Sequence, residues 1–126
     1  MERRLISGHS PYEAIAGFSR AVVVGSTVHV AGTAPIPRDG SPSPEGAYEQ
    51  AQLCLALIAE ALGRAGASLD DVVRTRMFVT AAEHFPGIAQ AHGEAFRDVR
   101  PACTTVVTAL LDPAWKVEIE AEAVIP

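Results

Sequence analysis

Apolar residues recur along this chain with two different periods, and the places where one period gives way to the other mark its elements. Ala21-Val22-Val23-Val24 and Thr27-Val28-His29-Val30-Ala31 are two β-rich runs separated by Gly25-Ser26. That arrangement predicts a hairpin, because β-branched side chains suit a pleated strand and a Gly-Ser pair suits the turn between two of them. The stretch 35–44 holds four prolines and a glycine, which excludes a helix interior or a central strand and predicts a loop. From Ala47 to Leu62, the residues Ala51, Leu55, Ile58 and Leu62 fall at helical spacing, with Glu49, Gln52 and Glu60 elsewhere on the wheel, so a helix is expected there. Gly63 and Gly66 mark its C-terminal region. Residues 72–80 read as a strand. A second helix is expected from near Glu83, carrying Phe85, Ile88, His92, Ala95 and Val99 on one stripe with Pro86 in its first turn. Pro101 closes that region, 104–110 reads as a strand, and 117–124 alternates with period two as a final strand.

The predicted order is strand, strand, helix, strand, helix, strand, strand, an α+β sheet with both helices on one face. Alternation sorts the strand residues into two sets. Val28, Val30, Thr75, Met77, Val79, Val117, Ile119, Ala121 and Ala123 form the core set, while Thr27, His29, Arg74, Arg76, Phe78, Glu118, Glu120 and Glu122 form a mixed, charged set. That second face is either solvated, as antiparallel sheets permit, or a wet interface between subunits.

With 126 residues, one sizeable core and a single domain spanning 1–126 are expected. A formal charge of −5 supplies no general attraction for nucleic acid or anionic lipid, which rely on clustered Lys and Arg. Cys54 and Cys103 are too few for a disulfide framework, and no Cys/His group has zinc spacing, so no metal site is expected. The first residues, Met1-Glu2-Arg3-Arg4-Leu5-Ile6-Ser7, lack the apolar run of a signal peptide, and no stretch reaches the length of a membrane span. A soluble cytoplasmic protein without a membrane partner is the expectation.

Several local runs together resemble one family. They are Val24-Gly25-Ser26-Thr27-Val28-His29-Val30-Ala31-Gly32, Gln50 in the first long helix, and Leu69-Asp70-Asp71-Val72-Val73-Arg74-Thr75-Arg76-Met77-Phe78-Val79. Arg100-Pro101-Ala102 and the closing Val117-Glu118-Ile119-Glu120-Ala121 complete the set. Over nearly its whole length the chain resembles the Rid family, the YjgF-like reactive intermediate deaminases also labelled L-PSP endoribonucleases. The resemblance implies a chorismate-mutase-like α+β fold, a homotrimer whose sheets line a central barrel, and three ligand clefts between subunits. It also implies hydrolysis of 2-imino acids to 2-oxo acids and ammonia without a metal or organic cofactor. In such members an Arg after the Pro-Ala dipeptide pairs with the substrate carboxylate through two hydrogen bonds, and a Glu of the closing motif handles the attacking water.

The Glu is present as Glu118, but Cys103 stands where the Arg is expected. A thiol carries neither the charge nor the two-point geometry that a carboxylate needs, so ordinary 2-imino acid hydrolysis is expected to be weak or absent. Phe18 stands where deaminating members carry a cleft Tyr, and Thr33 replaces a common Gln after the Gly. Arg76 is the candidate substitute cation, since alternation sets it on the mixed face; its other reading is an Arg paired with a carboxylate of the closing strand. Arg20 has the same two readings. His29 is a cleft candidate, His92 a half-buried residue of the helix stripe, and Cys103 either a nucleophile or a small hydrophobe.

The expectation is therefore a homotrimer whose clefts bind a small anionic metabolite and hydrolyse an imine, enamine or related group. Glu118 is the catalytic residue, and Arg76, Phe18, Cys103, Thr33 and His29 line the binding site. The alternative keeps the scaffold as a non-catalytic metabolite-binding or interaction module. A ribonuclease is disfavoured by the acidic balance.

Overall fold

The computed structural model describes residues 2–126. Strands β1 (Arg3–Ile6), β2 (Ala21–Val24), β3 (Thr27–Thr33), β4 (Val72–Val79), β5 (Ala102–Val107) and β6 (Val117–Val124) alternate with helices α1 (Tyr12–Ala16), α2 (Ala47–Ala65) and α3 (Phe85–Ala95). The strands form one six-stranded sheet in the order β1-β2-β3-β6-β4-β5. Every neighbouring pair is antiparallel except β4 and β5, which run parallel. The β4–α3–β5 crossover explains that exception, since a helix returns the chain to the end from which β4 began.

The hairpin at Gly25-Ser26, the proline-rich loop, both long helices and the closing strand lie where the periodicity places them. Ala51, Leu55, Ile58 and Leu62 are buried, together with Cys54, Ala61 and Ala65. They pack on Val28, Val30, Met77, Val79, Val117, Ile119, Ala121 and Ala123 of the sheet in one core. α3 adds Ile88 and Ala91, and the residue after it adds Phe96. Gly66 adopts φ +90 at the end of α2, a left-handed cap that a Cβ would strain.

Two elements went unpredicted. β1 is four residues long and exposed at three of them, and α1 is a five-residue helix with no buried side chain; neither repeats a period long enough to read. β5 begins two residues earlier and ends three earlier than expected, because its length is set by parallel pairing with Arg74 to Val79. α3 ends at Ala95 rather than near Val99.

A β-bulge in β3 has the largest effect on the site. Pairing with β6 runs from Thr27 to Val30, shifts register, and resumes with Thr33 opposite Ile119. Strict alternation from Thr27 and His29 would put Thr33 on the mixed face. The extra residue turns it into the core instead, where it is 1% exposed.

Candidate functional site

The mixed face carries a charged ladder across three strands. His29 of β3 lies opposite Glu122 of β6, and Glu122 lies opposite Arg74 of β4; Arg76 lies opposite Glu120, and Phe78 opposite Glu118. Arg76 Nη1 contacts Glu120 Oε1 and Glu122 Oε1 at 3.2 Å each. Those two carboxylates hold the Arg76 guanidinium above its ordinary pKa. Arg74 donates to Thr104 Oγ1 at 2.9 Å.

Glu118 stands apart from this ladder. Its carboxylate rests against Gly32, next to the bulge: a Cβ at Gly32 would collide with Glu118 Oε2. Arg20 reaches the same glycine and donates from Nη2 to the Gly32 carbonyl at 2.5 Å. Burial pushes the Glu118 carboxyl above the usual carboxylate range; the Arg20 charge pulls it back, and the Glu120 charge adds to the rise. A half-buried carboxyl whose pKa burial raises is a better proton acceptor than an ordinary carboxylate, which suits a general acid–base group. On the core side of the sheet, Cys54 is fully buried and burial pushes its thiol far up, which makes it an inert packing residue.

The other candidates scatter. Phe18 and His29 line an open hollow of about 670 Å³, together with Leu5, Val22 and Ala31, at the β1–β2–β3 end of the mixed face. Cys103 is exposed and lies opposite Thr75 in the β4–β5 register, which sets it on the face away from Arg76 and Glu118. The bulge turns Thr33 into the core of the chain, where its hydroxyl donates to the Ala31 carbonyl at 2.8 Å. Within one chain, then, Cys103 lies on the face opposite Glu118, Arg76 pairs with Glu120 and Glu122, and the cation that meets the same glycine as Glu118 is Arg20. The sequence leaves Arg20 open between a substitute cation and a surface role, because it lies between α1 and β2, where no periodicity assigns a face. His92 is half-buried as its stripe implies; its Nε2 is 2.8 Å from Thr75 Oγ1 and its ring packs on Phe96.

β5 is exposed along nearly its whole length. Phe18 and Leu5 at one end of the mixed face and Val106 at the other are each more than two-fifths exposed. Among the described residues, no three His, Cys, Asp or Glu side chains gather as a metal site, and no helix is long and apolar enough to cross a membrane.

The family described as Endoribonuclease L-PSP matches residues 8–125. SCO2049, an uncharacterised protein of Streptomyces coelicolor, is 36% identical over 122 residues, 96% of this chain and 90% of that protein. A 2-iminobutanoate/2-iminopropanoate deaminase of Capra hircus is 32% identical over 97% of this chain and 90% of its own length. The crystal structure of Rv2704 from Mycobacterium tuberculosis, a member of the YjgF/YER057c/UK114 family, superposes with a TM-score of 0.89 at 41% identity, covering 98% of this chain and all of that one.

Proposed function

This chain belongs to the endoribonuclease L-PSP family, the YjgF/Rid proteins, and from that premise we propose that it is a homotrimer whose intersubunit clefts bind a small metabolite and hydrolyse an imine or enamine. The observation that carries the reading is Glu118, a half-buried carboxylate seated on Gly32 beside a cation, with a pKa raised by burial. The deaminase relatives lend it the reaction class. Glu118 takes a proton from water as the oxygen adds to the imine carbon. Glu118 returns that proton to nitrogen, giving a carbinolamine; the new hydroxyl then yields its own proton, which Glu118 relays to the amine as the C–N bond breaks, and a carbonyl compound and ammonia leave. Support for the trimer comes from β5, exposed along nearly its whole length, and from the apolar residues at both ends of the mixed face. A second copy would also bring a Cys103 face towards a Glu118 face, which one chain holds apart.

An anionic ligand is the weaker part of the proposal. Arg76 already spends Nη1 on both Glu120 and Glu122, so its pairing role is the better supported. The non-catalytic alternative draws on Cys103, which cannot grip a carboxylate. A ribonuclease has the family's name behind it and the net charge of −5 against it.

Light scattering should give the mass of three chains, and a monomer at micromolar concentration removes the cleft. Ammonia release should be followed with 2-iminobutanoate, 2-iminopropanoate and imines lacking a carboxylate, using wild type, Glu118→Gln and Cys103→Arg. Turnover lost in Glu118→Gln supports hydrolysis, whereas ligand binding without turnover in any variant selects the alternative. Without a two-point guanidinium, turnover of 2-imino acids should be on the order of a hundredfold below that of an Arg-bearing relative, and Cys103→Arg should raise it. Any anionic ligand found should bind Arg76→Ala as well as wild type; a tenfold loss assigns Arg76 to the ligand.

A further inference from the structure

Arg20 is half-buried rather than exposed. Its stem crosses Gly8, where an added Cβ would lie 3.2 Å from Arg20 Cδ and 2.8 Å from Glu13 Oε2. Its Nη2 is spent on the Gly32 carbonyl at 2.5 Å. Its Nε is shielded from solvent and has no acceptor. Glu13, the other carboxylate whose charge acts on Arg20, is occupied by the Gly8 amide at 3.1 and 2.9 Å. Gly8 therefore leaves room for the Arg20 stem, and the guanidinium meets the glycine that Glu118 rests on. A buried N–H left without an acceptor is uncommon and calls for an explanation other than stability.

We propose that Arg20 is the positioning residue of the Glu118 site: anchored on the carbonyl of Gly32, the glycine against which the Glu118 carboxylate rests, it supplies the positive charge on that side of the carboxylate. The inference rests on Glu118 as the water-handling group, and it explains how a carboxylate that burial pushes towards its neutral form stays usable as a base. The charges and titratable groups acting on Glu118 are Arg20, which favours the carboxylate, and Glu120, which opposes it. Beneath it the Cys54 thiol stays protonated. Arg20 alone therefore offsets the burial.

Titration of the Glu118 carboxyl by carbon-13 NMR in the full-length protein tests this, with Arg20→Lys, Arg20→Met and Arg20→Gln beside the wild type. An opposite charge within about 4–6 Å moves a carboxyl by roughly 1–3 pH units. Arg20→Met should therefore raise the Glu118 midpoint by about one unit or more, and Arg20→Lys should restore most of the difference. Arg20→Gln keeps a donor for Gly32 without the charge, so it must show the same rise; it serves if the Met variant fails to fold. A Glu118 midpoint unchanged in Arg20→Gln overturns the proposal. The titration needs no substrate, so absence of ammonia release in the wild type would defeat the hydrolase reading and leave this result standing.

Discussion

Gln50 is the polar side chain that ties the site to the core, and replacing it with Leu isolates what it does. The residue is 1% exposed, inside α2. Its amide donates to the Pro44 carbonyl at 2.7 Å and the Ala114 carbonyl at 2.9 Å, and its Oε1 accepts from the Lys116 amide at 2.7 Å. One side chain thus pins the end of the proline-rich loop and the residue that leads into β6, two positions before Glu118. Leu has nearly the same volume, so Gln50→Leu opens little cavity and leaves three backbone groups without partners. Each buried orphan costs about 1–3 kcal/mol, and the gain from burying an apolar side chain, about 1.5–3 kcal/mol, offsets part of the total. A net loss of about 3 kcal/mol is expected. That is a large fraction of the roughly 5–15 kcal/mol that stabilises an ordinary domain. At about 4 °C per kcal/mol for a chain of this size it lowers the Tm by about 12 °C. Guanidinium denaturation at fixed protein concentration measures it: the midpoint should fall with the slope m unchanged. A loss below about 1 kcal/mol would mean that water or a shifted loop re-satisfies the three groups, and would refute the claim that Gln50 holds them.

Two further outcomes follow from the same geometry. Gly32→Ala, at a position without positive φ, should fold but push the Glu118 carboxylate aside; ammonia release should fall at least tenfold while circular dichroism stays at wild type, and unchanged turnover would separate Gly32 from the site. Burial lowers the pKa of His92, so the unfolded chain binds a proton more readily than the folded one. The stabilisation is therefore full above the ordinary histidine pKa and is lost as pH falls through the lower folded value. Denaturation midpoints between pH 7.5 and 5 should drop more steeply for wild type than for His92→Gln, and parallel curves would show that His92 does not titrate across folding.

Most of the scaffold is legible in the chain because period and breaker are local properties. Four buried residues at helical spacing define α2, strict alternation defines β6, and four prolines define the loop between β3 and α2. The family resemblance and Glu118 as a candidate rest on equally local motifs. What only the tertiary structure decided is which groups meet. Alternation put Arg76 and three glutamates on one face, but strand register chose its partners, Glu120 and Glu122, and left Glu118 outside that network. A one-residue bulge, invisible in the pattern, turned Thr33 into the core. Arg20, in a segment with no period, reached the Gly32 carbonyl past Gly8, whose missing Cβ left space for its stem. Hydrophobic pattern selects a face for each residue; close contacts between charges depend on register, bulges and missing Cβ atoms, which arise only when segments far apart in the chain pack together.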